Sequence, residues 1–432
     1  MKKTALLLTI MIFINLSTNA QLLKGISSMV KAKAAQKVTG AVEKKVDKIL
    51  GTGSNTKSEE HVTAKKEKSE TPSTMSVPLV KAYSKYDFVA GDKVMYFEDF
   101  SASATGELPL GWNATGKGEV VSLEGQSGKW LRMFPGSLYL SGNTKSLGEN
   151  YTIEFDVLMN GTPPSGTRFL PIFNLGLLSS GKLSTTHNSL IGSSAPINNR
   201  LEITIKPNVD KISTIKLESS GPNKISTFKS DTRDLSDFNE TLDRVVHYSM
   251  QIQKQRFRMW IDGVKVFDVP QAVNINPALN QLFFKPAEYW MYNDDNYGLY
   301  LSNFRIASSN PDLRKALISN GSFSTSGIFF ESGSSTISPQ SFGLLKEISQ
   351  VMNENKEARF KIVGYTDNNG DAATNLKLSK DRAEAVKNHL VSQFKINISN
   401  LSIEGKGATL PVADNKTQEG KAQNRRVEFI RI

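Results

Sequence analysis

The chain has 432 residues, enough for two or three domains at roughly 150 residues each. It is 38% hydrophobic and 22% charged, as ordinary globular protein is, and its formal charge of +11 points toward an anionic partner or surface. There is no cysteine, which excludes disulfides, thiolate metal sites, cysteine nucleophiles, iron–sulfur clusters and lipid attachment through an N-terminal cysteine. The four histidines, His61, His187, His247 and His389, lie far apart without ligand spacing, so neither a metal nor a cofactor is expected.

Lys2 and Lys3 precede the apolar run Ala5 to Ile14, and small residues follow up to Ala20. Residues 1–20 therefore read as a secretory signal peptide, too short in its apolar part for a permanent membrane span. An exported chain without cysteine fits a bacterial envelope protein that does not rely on disulfides. Residues 21–50 place Leu22, Leu23, Ile26, Met29, Val30, Ala34, Val38, Val42, Val46 and Ile49 at helical spacing with lysines between them. Two readings of this basic amphipathic helix stand: it lies on an anionic membrane surface or a partner, or it is solvated and self-associating. Gly25 and Gly40 weaken the helix, and no Trp or Phe anchors it. Residues 51–84 are rich in Ser, Thr, Lys, Glu and Gly, with Pro72 and Pro78, and predict a flexible linker that buries no core.

From 85 to 310, short β-prone runs alternate with turn clusters. They include Val94 to Phe97, Lys129 to Met133, Tyr151 to Val157, Leu201 to Ile205 and Tyr248 to Ile252. Arg256 to Ile261, the turn Asp262-Gly263 and Val264 to Phe267 predict a hairpin. So many strands with almost no helical pattern imply one large all-β sandwich. The runs Phe97-Glu98-Asp99-Phe100 with Gly111-Trp112, Tyr151 to Asp156, His247 to Asp268 and Leu301 to Ile306 resemble the concanavalin-A-like jelly roll, the lectin and laminin-G type of sandwich. Glucanases of that fold place catalytic carboxylates on one strand as Glu-x-Asp-x-Glu or Glu-x-Asp-x-x-Glu. Glu154 and Asp156 match the first two, but Leu158 and Met159 stand where the further acid belongs. Hydrolysis is therefore not expected, and Glu154 and Asp156 read as solvated or structural. Trp112, Trp130, Trp260 and Trp290 could stack on sugars, although a Trp in a sandwich is more often core. This domain is left with a spacer role or a glycan- or protein-binding role.

Composition shifts again after Pro311. Ile328-Phe329-Phe330 predicts a strand, followed by the turn Glu331 to Ser335. Pro339 opens a helix with the stripe Phe342, Leu345, Ile348 and Met352. Arg359 to Tyr365 alternates as a strand, and a loop leads to a second helix from about Asn375 to Phe394 with the stripe Leu376, Ala383, Val386 and Leu390. Strands follow near Leu401 to Gly405 and at Arg426 to Arg431. The order β-α-β-α-β-β predicts an α+β domain over 320–432, with two helices on one face of a sheet.

Gly364-Tyr365-Thr366-Asp367-Asn368-Asn369-Gly370, Asn375-Leu376-Lys377-Leu378-Ser379, Arg382-Ala383, Val386, Gly405-Lys406-Gly407, Pro411, Asn415, Glu419-Gly420 and Asn424 to Glu428 form a dense pattern. It closely resembles the C-terminal peptidoglycan-binding domain of the OmpA family. Tyr365 departs from the histidine common in the family, and Ser332-Gly333 departs from a frequent asparagine in a turn where backbone atoms make the contact. The resemblance implies a non-enzymatic wall anchor for an exported protein of the periplasm or outer membrane. Its ligand would be the diaminopimelate of a stem peptide, which carries one ammonium and one carboxylate on the same carbon. Gripping that zwitterion needs a fixed anion and a fixed guanidinium. The resemblance assigns these roles to Asp367 and Arg382, with Thr366, Asn375, Gly333 and Arg425 around them. Asn375, Ser379 and Arg382, at i, i+4 and i+7, lie close together on the helix. The competing readings are a wall-anchored glycan-active enzyme and an adhesion or motility component. A nucleic-acid partner is not expected, because the excess charge is lysine on an exported helix and no nucleic-acid module is present.

Overall fold

The computed structural model describes residues 87–432 apart from 145, 182, 185–186, 192–198, 294 and 309–312. The expected signal peptide, basic helix and linker lie outside the described residues.

Alternating apolar residues build two antiparallel eight-stranded sheets over one interior. The first runs Val264–Val269, Arg256–Ile261, Val245–Gln253, Asn150–Gly161, Tyr297–Ser308, Trp130–Met133 and Gly118–Val121, and Lys93–Glu98 also pairs with Tyr297–Ser308. The second runs Ser226–Lys229, Ser213–Ser220, Arg200–Lys206, Phe173–Leu178, Gln281–Pro286, Tyr139–Leu140 and Asn113–Ala114, with Arg233–Leu235 on Ser213–Ser220. In Asn150–Gly161 the residues Tyr151, Ile153, Phe155, Val157 and Met159 point inward. Phe155 stacks on Tyr248 of its own sheet at 5.3 Å and meets Phe284 of the facing sheet edge-on at 5.3 Å. The predicted hairpin forms at Asp262-Gly263, both at positive φ (49° and 79°), the geometry that matches strand twist. Of the four tryptophans, Trp112, Trp130 and Trp260 are buried, whereas Trp290 is 89% exposed.

The C-terminal sheet has four strands in the order Ser322–Thr325, Val427–Arg431, Phe360–Gly364, Leu401–Gly405, of which only the last pair is parallel. The helices Phe342–Glu354 and Ala372–Phe394 bury Leu345, Ile348, Ala383, Val386 and Leu390 in one core with Phe360, Ile362 and Phe429. No helix among the described residues is long and apolar enough to cross a membrane.

Three expectations need correction. The first strand is Ser322–Thr325, not Ile328 to Phe330: Phe323 and Thr325 turn inward on the last strand, while Phe330 makes only an isolated bridge to Ile337. Leu376 is 52% exposed rather than part of the inward stripe. Asn375 and Ser379 take the inward places, because each finds a backbone partner: Asn375 Nδ2 donates to the Asn369 carbonyl at 2.8 Å, and Ser379 Oγ accepts from Gly407 N at 2.8 Å. A further helix, Gln418–Asn424, begins where Thr417 Oγ1 accepts from Gly420 N at 3.0 Å.

The two domains pack as one unit, and the segment from Asp87 to Asp92 fills the seam. Phe88 is fully buried and meets Trp260 edge-on at 5.2 Å. Trp260 Nε1 donates to Asp87 at 3.0 Å, and Lys265 pairs with the same carboxylate. On the other side, Gly343 lets the Phe88 carbonyl approach the Phe342–Glu354 helix so closely that any Cβ there would collide with it. Arg305 crosses the seam: it bonds Glu154 at 2.7 Å, the Gly91 carbonyl at 2.6 Å and Ser326 Oγ at 3.1 Å.

Candidate functional site

The strand Phe360–Gly364 ends at the centre of the C-terminal sheet and delivers Tyr365, Thr366 and Asp367 to one edge of it. The Tyr365 hydroxyl donates to Glu428 at 3.0 Å, and the Arg426 guanidinium lies 3.6 Å from its ring. The tyrosine that departs from the family pattern is thus tied into the last strand. Thr366 N donates to the Gly407 carbonyl at 2.9 Å, and its buried Oγ1 has no hydrogen-bond partner among the described residues. Asp367 is only 7% exposed. Its Oδ1 accepts from Asn369 N at 3.0 Å, which closes the loop, and its Oδ2 accepts from Arg425 Nη1 at 2.6 Å.

Asp371 caps the long helix by accepting from Thr374 N at 2.9 Å. Arg382 follows from its inner edge. Arg382 Nε donates to the Ser334 carbonyl at 3.0 Å, and the Phe330 ring lies 4.8 Å beneath its guanidinium. Gly333, at φ +65°, is what turns the Glu331 to Thr336 loop so that this carbonyl faces the arginine. The other Arg382 nitrogens have no partner among the described residues. Burial, followed by the neighbouring Arg425 charge, pushes Arg382 down to about 10, against the opposing pull of Asp367.

Six predicted residues are therefore distributed as follows. Asp367, Arg382 and Arg425 converge electrostatically, and Gly333 shapes the turn that orients Arg382. Asn375 holds the Asp367 loop through Asn369 instead of facing outward. Thr366 lies beside the carboxylate with its hydroxyl unused. The pairing is Asp367 with Arg425, so the anion carries its own guanidinium. Asn424 does not reach the site; it bonds Val412 N, Ala413 N, the Ala413 carbonyl and Asn415. Phe330 and Ser334 were missed, since an aromatic before a turn and a backbone oxygen carry no sequence signal of their own.

In the all-β domain, Glu154 and Asp156 take the structural rather than the solvated reading, Glu154 buried and Asp156 partly so. Glu154 is 2% exposed and pairs with Arg305, itself 3% exposed. Asp156 accepts from Asn303 Nδ2 at 2.7 Å and bonds His247 Nδ1 at 2.7 Å. His247 Nε2 is 3.7 Å from Glu154 Oε1. Burial lowers the His247 pKa, yet the two carboxylates outweigh it and raise it to about 9.

A four-stranded sheet carrying an aspartate loop, a basic long helix and a closing arginine defines an OmpA-type domain. The OmpA family model matches residues 329–425, so the chain carries a C-terminal OmpA family domain. Over 102 residues it is 37% identical to the probable lipoprotein YiaD of Escherichia coli K12, covering 24% of this chain and 46% of that protein. Outer membrane protein A of Bordetella avium is 43% identical over 101 residues, 23% of this chain and 52% of that one. Peptidoglycan-binding protein ArfA of Mycobacterium bovis is 34% identical over 103 residues, 24% of this chain and 31% of that one. The match thus spans between about a third and a half of these relatives' own length.

Proposed function

We propose that this protein is a non-enzymatic component of the bacterial envelope, exported to the periplasm or outer membrane, whose C-terminal domain grips peptidoglycan without a covalent bond. The observation that carries the reading is the cluster of Asp367, Arg382 and Arg425. Arg382 offers unused nitrogens to the carboxylate of a diaminopimelate end, in the two-pronged geometry that suits a guanidinium. Asp367 holds two donors and keeps acceptor capacity for the ammonium. The similarity to a protein named for peptidoglycan binding supports the same assignment. The two-sheet domain fits a concanavalin-A-like jelly roll with a structural or ligand-binding role, and the exposed Trp290 favours a glycan or protein contact there. For the basic segment 21–50, a contact to a membrane surface or partner stands beside a solvated, self-associating role. An enzymatic role for Glu154 is disfavoured by its ion pair with Arg305, which leaves no access for a substrate.

The test is co-sedimentation of the whole chain with purified diaminopimelate-type peptidoglycan. Arg382→Ala and Asp367→Asn should each weaken binding about 30-fold or more, by leaving one ligand charge desolvated and unpaired. The asparagine retains the acceptor for Asn369 N, so the loop stays closed. The double variant should lose little beyond either single one. Pelleting of both single variants like wild type would show that Asp367 is only a loop tie and Arg382 only a surface charge.

A further inference from the structure

Arg425 is held by two domains at once. Its edge bonds Asp367, and its face lies over the Phe97 ring, 5.1 Å from the centroid. Phe97 belongs to the strand Lys93–Glu98 of the all-β domain, where it pairs across to Arg305. Its strand neighbours Met95 and Tyr96 pack on the interior of that domain, whereas the Phe97 ring contributes to no hydrophobic core among the described residues. The helix Gln418–Asn424, which delivers Arg425, is fastened at one end to the start of that strand and at the other to the loop that follows it. Gln423 Oε1 accepts from Val94 N at 2.7 Å while its Nε2 donates to the Asp92 carbonyl at 2.9 Å. Gln418 Nε2 donates to Ser101 Oγ at 2.6 Å and to Asp99 at 3.2 Å.

We propose that the first strand of the all-β domain is part of the peptidoglycan-binding site, with Phe97 as a positioning residue that fixes the Arg425 guanidinium beside Asp367. The inference rests on the binding reading above and adds an element to its site. An aromatic face takes the flat side of a guanidinium and leaves its in-plane N–H groups for Asp367 and for a ligand carboxylate. The Arg425 side chain is a third exposed, and without the ring it would sample several rotamers. Ordering them would then oppose binding, so the ring acts by preorganisation. The ligand class follows from the charges: two guanidiniums against one carboxylate favour a group with more anionic than cationic contacts to make, such as the free carboxylate end of a stem peptide.

The experiment measures calorimetric binding of a soluble tripeptide stem ending in diaminopimelate to the whole chain. Phe97→Leu should weaken it about five-fold and Phe97→Tyr less than about two-fold, because tyrosine keeps the ring face. Melting temperature should not follow this aromatic–aliphatic split, since the ring is in no core. In an Arg425→Ala background Phe97→Leu should have no further effect. Where Phe97→Leu fails to fold, Gln423→Met provides the same cycle by releasing the helix from the strand. Equal affinity of Phe97→Leu and wild type, or the same loss in both backgrounds, would overturn the proposal. Asp367→Asn separates the two ideas: if it loses binding while Phe97→Leu does not, only the role of Phe97 falls. If Asp367→Asn itself binds like wild type, the binding reading falls first.

Discussion

Replacing Arg305 by alanine should unfold the seam before it disturbs either core. Glu154 and Arg305 are almost fully buried and bond at 2.7 Å, so removing the guanidinium leaves the carboxylate in a dry site with only the more distant His247, 3.7 Å away, as counter-charge. Breaking a buried pair in this way costs about 3–5 kcal/mol. Arg305 also donates to the Gly91 carbonyl and Ser326 Oγ, and each lost bond adds about 1 kcal/mol. Because His247 remains beside Glu154, the pair's cost falls at the lower end of that range, and the total is about 5 kcal/mol. At about 2–4 °C per kcal/mol for a fold of this size, the melting temperature should drop by roughly 10–20 °C. Scanning calorimetry of the whole chain measures it, with Glu154→Leu/Arg305→Met as the control that removes both charges. The control should be more stable than Arg305→Ala, because apolar replacement of a buried pair is often neutral. A loss under about 2 °C for Arg305→Ala would refute the reasoning, since Glu154 would then be neutral or hydrated in the folded protein.

Two further outcomes are expected. His247 is raised in the folded protein to about 9 from an ordinary value near 6.5, so its contribution is complete below about pH 6.5 and is lost as pH rises through about 9. Melting temperature should therefore fall across that window, and the fall should shrink in His247→Gln; parallel curves for the two proteins would exclude the histidine as its source. Purified protein should release no reducing sugar from laminarin, agar or peptidoglycan, whereas turnover abolished by Glu154→Gln would restore the hydrolase reading.

Much of the C-terminal domain was legible in the sequence because its helix stripes and strand runs are amphipathic and its loop motif is dense. Ala383, Val386 and Leu390 are buried as their spacing predicts. Leu376 misled because periodicity counts apolar residues, whereas the buried face at that end of the helix is polar and satisfied by loop backbone groups, the Asn369 carbonyl and the Gly407 N–H. The motif singled out Asp367 and Arg382 as candidates, but the Asp367–Arg425 ion pair was not visible in it, since it joins residues from different elements. Sequence placed Glu154 and Asp156 on one strand face correctly. It could not show that this face is covered, because the cover comes from Arg305 and from the segment that threads the seam. Phe97 read as one aromatic in a strand; its partner lies near the other end of the chain.

The seam has a mechanical consequence. The backbone enters the described fold at Asp87, between the two domains rather than at the far end of either. A pull applied there meets Phe88 wedged against Trp260 on one side and the Phe342–Glu354 helix on the other, with Gly91 N held by Thr152 Oγ1 at 2.9 Å. These contacts lie along the segment and would have to slip together rather than open one by one. Tension is therefore shared by both domains in parallel, and neither has to be the weak link of a series.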